Sequence, residues 1–144
     1  MTPLTQLYNA FLSLIQEDEW ESWSKLDREQ DWYQIFLAAS PWFKFPRIKL
    51  DVDTENQNFT YDVTNAEIQV LAHYMKTVWL GRLIDSWENL RPMYQERDFS
   101  PAKMLGEFEK RHDSQLRLAR RLEATYYRSR NGQPFPYDNL GGIR

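Results

Sequence analysis

The stretch TNAEIQVLAHYMKTVWLGRLIDSWENL, Thr64 to Leu90, constrains the fold more than any other part of the chain. Thr64 and Glu67 stand in the spacing of a capping box, in which the threonine oxygen takes the Glu67 amide proton and the carboxylate reaches back to the Thr64 backbone. From there Ile68, Leu71, Met75, Trp79, Leu83, Trp87 and Leu90 follow at steps of three or four, the spacing of one helical face. Val70, Tyr74, Val78, Leu80 and Ile84 fall off that stripe, so apolar side chains cover more than one side. Such a helix has to be covered on several sides by its own chain or by a neighbouring subunit. Pro92 ends it, because proline lacks the amide proton and biases Arg91 away from helical angles.

The other segments read as packing partners. Thr2-Pro3 has the form of a cap and first-turn proline, followed by Leu4, Leu7, Tyr8, Phe11, Leu12, Leu14 and Ile15 on an amphipathic helix of about three turns. The acidic run Gln16–Glu21 breaks the stripe, and Trp20 and Trp23 are placed to anchor the turn. A second helix is expected to begin near Asp27 or Glu29, with Trp32, Tyr33, Ile35, Phe36, Leu37 and Ala39 inward, and to bend or end at Ser40-Pro41. After the aromatic connector PWFKFP come two segments of partial alternation, Arg47–Asp53 and Asn58–Asp62, around the polar turn Thr54–Gln57. Two short strands are marginal alone, so this hairpin must lie on the helices or on another subunit. Lys49, Asp51, Phe59 and Tyr61 are assigned to a subunit-interface loop, with the hairpin protruding within residues 47–62.

Beyond a loop over Arg91–Phe99, Ser100-Pro101 opens a long helix with a narrower stripe of Met104, Leu105, Phe108, Gln115, Leu116, Ala119, Leu122 and Tyr126. Lys110, Arg111, Arg117, Arg120 and Arg121 occupy much of its remaining surface. From Arg128 the helical pattern stops: RSRNGQPFPYDNLGGIR holds Asn131-Gly132, two prolines and a glycine pair, and reads as an extended tail. The expected fold is therefore mainly α: a helical bundle around one long central helix over residues 1–127, with a short β-hairpin or extended loop and an extended C-terminal docking tail over 128–144. The expected core is Ile68, Leu71, Met75, Trp79, Leu83 and Trp87.

Composition narrows the function. Six Trp, eight Tyr and eight Phe make aromatics 15% of the chain, which suits a thin core or a partner-facing surface. Without cysteine there is neither a disulfide frame nor thiol chemistry. No apolar run approaches the roughly 20 residues that span a bilayer, and the start lacks a basic leader region, so synthesis and folding in a cytoplasm are expected. Residues 1–100 carry nine Lys/Arg against sixteen Asp/Glu, and residues 101–144 nine against five, giving a protomer with unlike ends. Phosphate-loop, HExxH, GxGxxG and GxSxG motifs are all missing. His73 reads as a satisfied core or boundary histidine, His112 as exposed, and Asp85 with Glu88 as a solvated acidic pair. No enzyme, metal or cofactor is expected. The arginine-rich helix near Tyr126 and Tyr127 suits local, non-specific contact with nucleic acid, but a sequence pI near 5.4 argues against a dedicated binder. Within the tail, Phe135, Tyr137 and Leu140 alternate with prolines and polar residues, and Arg128 and Arg130 precede them; this is the make-up of a peptide that docks in a groove or on a sheet edge.

FLSLIQEDEW, FLAASPWFKFPR, YDVTNAEIQVLAHYMKTVWLGRLIDSWENLRPMYQERDFS and LEATYYRSR together resemble the head–tail connector (portal adaptor, or neck) proteins of tailed bacteriophages, the central stretch carrying most of the likeness. The resemblance implies a helical subunit with a protruding hairpin, assembled as a homo-oligomeric ring that joins the portal to the tail and surrounds the DNA channel. It further implies a C-terminal segment that engages the portal protein, with tail or neck proteins as other partners, and a place in the virion after synthesis in the host cytoplasm. The alternative from the residues themselves is a small cytoplasmic helical binding or regulatory module whose C-terminal tail docks onto a protein partner. No membrane association is expected on either reading.

Overall fold

The computed structural model describes residues 2–15, 20–90, 101–130 and 133–134. It is a mainly helical bundle: α1 (Leu4–Ser13), α2 (Lys25–Ala39), α3 (Asn65–Leu90) and α4 (Pro101–Tyr127), with a 3-10 turn at Ser40–Trp42. Between the 3-10 turn and α3 a small antiparallel hairpin pairs β1 (Val52–Asp53) with β2 (Asn58–Phe59). After α4, β3 (Ser129–Arg130) pairs antiparallel with β4 (Gln133–Pro134). The segment expected to be extended throughout thus begins with a short hairpin.

α3 is the axis, packed by α1, α2 and α4. Its capping box forms as expected: Thr64 donates its amide proton to Glu67 Oε1 at 3.0 Å, and the Glu67 amide donates to Thr64 Oγ1 at 3.4 Å. Ile68, Leu71, Met75 and Trp79 are buried on the expected stripe, and Leu83 is partly buried against the same core. Trp87 lies on α3, but its side chain is outside the described residues. Val70, Tyr74 and Leu80 are buried as well, so α3 is covered on several faces. The expected cap at Ser100 and the Arg91–Phe99 loop also lie outside the described residues.

Several local expectations need correction. Helix α2 begins earlier than Asp27, because the Ser24 hydroxyl accepts the Asp27 amide proton at 3.2 Å and caps it. Ile35, Phe36 and Ala39 face the core from α2, whereas Leu37 is exposed, one residue and so about 100° round the helix from Phe36. Thr2 does not cap α1; Pro3 holds the cap position with no side-chain bond. The Thr2 hydroxyl instead accepts the Val63 amide proton at 2.8 Å, fastening the N-terminus to the approach to α3. Trp20 closes the far side: its indole N–H donates to Asp31 Oδ2 at 2.7 Å, and its ring meets Phe11 and Trp32 edge-on. Arg82 on α3 reaches the same carboxylate at 3.2 Å.

The hairpin differs most from expectation. Its turn falls at Thr54–Gln57 as anticipated, with Asp53 Oδ1 accepting the amide protons of Glu55 and Asn56. The side-chain and backbone bonds from Asn56 lower the Asp53 pKa. Instead of standing off the bundle, β2 is stitched to the N-terminus: the Phe59 amide donates to Thr2 O at 2.7 Å and the Leu4 amide to Gln57 O at 3.0 Å. Phe59 is fully buried, edge-on to Phe36 with ring centroids 5.8 Å apart. Its assignment to a subunit interface is therefore wrong; it is a core residue of its own chain.

Candidate functional site

The connector that follows α2 is held by two buried carboxylates acting through tyrosines. On α3, Glu67 is 1% exposed and accepts from the Thr64 amide, the Thr64 hydroxyl and, at 3.0 Å, the Tyr126 hydroxyl. Tyr126 Oη in turn accepts the Arg47 amide proton at 2.8 Å. The Arg47 guanidinium donates to Tyr126 O at 3.1 Å and lies 4.8 Å from that ring's centroid, a cation–π contact. On α4, buried Glu123 accepts one hydroxyl on each oxygen, from Tyr74 of α3 and Tyr127 of α4. Tyr127 Oη accepts the Phe45 amide proton at 3.1 Å. The start of α3, the last turn of α4 and the backbone at Phe45 and Arg47 are thus fixed against one another. A buried polar group keeps its cost low only when its bonds are made, and these carboxylates have theirs.

All three tyrosine hydroxyls are biased toward the protonated, donating form. Burial first, then the Glu123 bond, raises Tyr74 well above the usual phenol value and Tyr127 to about 12. Burial and the Glu67 bond raise Tyr126, against the opposing Arg47 contact. The folded chain therefore holds protons above pH 10 that the unfolded chain releases, and stability must fall as pH rises past about 10. Melting temperatures across that range should fall for the wild type and fall less steeply for Tyr74→Phe, although the variant is less stable at pH 7. Equal slopes would show that Tyr74 does not bear on the alkaline loss.

This scaffold displays aromatic rings to solvent. Trp42, Phe45 and Tyr127 are 38%, 72% and 41% exposed, and Phe45 and Tyr127 lie 6.1 Å apart by ring centroid. Exposed Lys44, Arg120 and Arg128 belong to the same region of connector and α4 end. A cavity of about 500 Å³ opens there, lined by Trp42, Lys44, Tyr74, Arg120, Glu123 and Tyr127. Large aromatics over a polar, cationic rim are the make-up of a protein-binding surface, and α4 ends immediately beside it, at Tyr127.

Of the tail residues singled out from sequence, Arg128 is exposed in the turn after α4, and Arg130 sits in β3 opposite Gln133. Phe135, Tyr137 and Leu140 lie outside the described residues. In the hairpin region Lys49 and Asp51 are exposed and Tyr61 is 47% exposed. His73 Nδ1 is 2.9 Å from Gln115 Nε2, which also donates to His73 O, and burial followed by the Lys76 charge lowers its pKa. His112, expected to be exposed, is half-buried beside Gly81 of α3. Sequence reasoning missed the carboxylate–tyrosine pairs, although Glu123 stands three residues before Tyr126 and four after Ala119, on the apolar stripe of α4; an acid in that position signals a buried partner. Among the described residues no group of three or more His, Cys, Asp or Glu side chains is placed to hold a metal ion. No helix among them is long and apolar enough to cross a membrane. Neither a protein family, a curated protein nor a solved structure matches the chain.

Proposed function

We propose that this chain is a non-catalytic structural protein of a tailed-bacteriophage neck, a connector whose copies form a ring between portal and tail. The observation that carries this reading is the exposed Trp42–Phe45–Tyr127 patch at the root of the C-terminal segment. A chain that folds alone gains little by leaving three large aromatics side by side in water, whereas an assembly subunit covers them. The charge asymmetry supports the same reading. The outward Arg117, Arg120, Arg121 and Arg128 contrast with the acidic first hundred residues, and unlike surfaces are what a ring closed by heterologous contacts requires.

In this account Arg128 and Arg130 meet acidic groups of the portal protein, and Phe135, Tyr137 and Leu140 fill apolar sites on it. Lys49, Asp51 and Tyr61 remain the hairpin residues available to a neighbouring subunit. Arginines of α4 that face the lumen make non-specific contact with genomic DNA. The chain is made in the host cytoplasm and resides at the head–tail junction of the virion.

The test is to mix the purified chain with the portal protein of the same genome and measure masses by native mass spectrometry. A portal carrying one closed ring of copies is expected. A chain that remains monomeric beside an unoccupied portal would overturn the reading and leave a binding module for some other partner.

A further inference from the structure

Away from the aromatic patch, a second groove lies where α1 stops short. At about 1.5 Å per residue, α3 and α4 are each about 39–40 Å long, while α1 spans about 15 Å. α1 packs on α3 and ends at Ser13, and Ser13, Leu14 and Ile15 line the trough between the two long helices. The resulting cavity is about 730 Å³. Apart from buried Gln115 its floor is apolar: Ile15, Trp79 and Leu80 are buried there, and Leu118 is half-buried.

Its rim is cationic. Lys76 comes from α3, and Lys110 and Arg111 from α4, against the single carboxylate of Glu107. None of these three cations forms an ion pair among the described residues. Lys76 is half-buried, and its charge is felt at His73, one turn back along α3. On a chain of net charge −3, three cations without an ion pair among the described residues, around an apolar trough, are a local reversal of sign.

We infer that this groove is a docking site for an amphipathic helix of a partner protein, one whose apolar stripe is flanked by acidic side chains. A helix laid in the trough between α3 and α4 would place its apolar residues on Ile15, Trp79, Leu80 and Leu118. Carboxylates on its flanks would then meet Lys76, Lys110 and Arg111, which sets the preference for an acidic helix over a basic one. The inference is independent of the neck reading, since it involves neither the aromatic patch nor the C-terminal segment.

A fluorescein-labelled helical peptide of about 15 residues, with leucines at i, i+3, i+4 and i+7 and glutamates beside them, is a direct probe for fluorescence anisotropy on the full chain. Its counterpart carries lysine at every glutamate position. The acidic probe should bind and weaken as salt is raised, while the basic probe should not bind. The double variant Lys110→Glu, Arg111→Glu changes two exposed side chains, and circular dichroism should confirm that it stays folded. It should lose about tenfold or more in affinity for the acidic probe and gain affinity for the basic one. Equal binding of both probes, no binding of either, or an unchanged affinity in the double variant would each overturn the inference. So would self-association of the wild type that the double variant abolishes, because the groove would then belong to a second copy.

Discussion

Replacing Phe59 with alanine should destabilise the isolated chain by about 3–5 kcal/mol, the usual cost of removing a buried phenylalanine. The ring is fully buried and meets Phe36 edge-on, and the same residue's amide holds Thr2 O. Its loss leaves a cavity where α2, the hairpin and the N-terminal segment converge, and none of these closes over it without shifting the β2–N-terminus bonds. Urea unfolding of the purified variant measures the effect, and the melting temperature should drop by roughly 10 °C. A neighbouring substitution gives the contrast: Tyr61→Ala removes a half-exposed ring and should change stability little. If Phe59→Ala unfolded like the wild type and only impaired assembly, Phe59 would be an interface residue after all.

Phe59 also explains where sequence reading stopped short. Alternation places residues 59 and 61 on one side of a strand, where the two are expected to share a role. The strand, however, ends at Phe59, and Thr60 and Tyr61 lie in a bend, so the two side chains part company. Two-residue strands are too short for periodicity to carry an inside and an outside. By contrast, the capping box at Thr64 and the stripe from Ile68 to Trp79 were legible because several turns repeat the same signal. The polar turn at Thr54–Gln57 was legible from its composition alone.

What sequence could not supply was pairing between distant helices. Glu67 was recognised as a cap, yet its second oxygen takes the hydroxyl of Tyr126, 59 positions later. Tyr74 and Glu123 are 49 apart. Tyr126 belongs to the apolar stripe of α4 and Tyr74 lies off that of α3, and only the packing of α4 on α3 brings them to Glu67 and Glu123. The aromatic connector PWFKFP was likewise conspicuous as a motif, without a sign of which rings face inward. Phe43 is buried against Tyr126 with ring centroids 5.1 Å apart, whereas Phe45, two residues on, is 72% exposed. That difference creates the patch on which the functional proposal rests.

The largest functional effect is expected from the C-terminal segment. On the proposed neck reading, docking it on a portal would have to offset about 1–2 kcal/mol of backbone entropy for every residue it fixes, so apolar anchors and arginine contacts would both be needed. Deleting Gln133–Arg144 removes Phe135, Tyr137 and Leu140 at once. Of the described residues it takes away only β4; the end of α4 stays held through Tyr126 and Tyr127. The truncated chain should therefore melt close to the wild type, which separates a docking defect from a folding defect. If the neck reading holds, the measurement is made in the phage whose genome carries the chain: the amount of truncated chain in purified particles, by quantitative mass spectrometry against the portal. The account predicts a folded chain that is absent from particles, with heads that lack tails or leak DNA. Truncated chain present in infectious particles at the wild-type ratio to portal would contradict it.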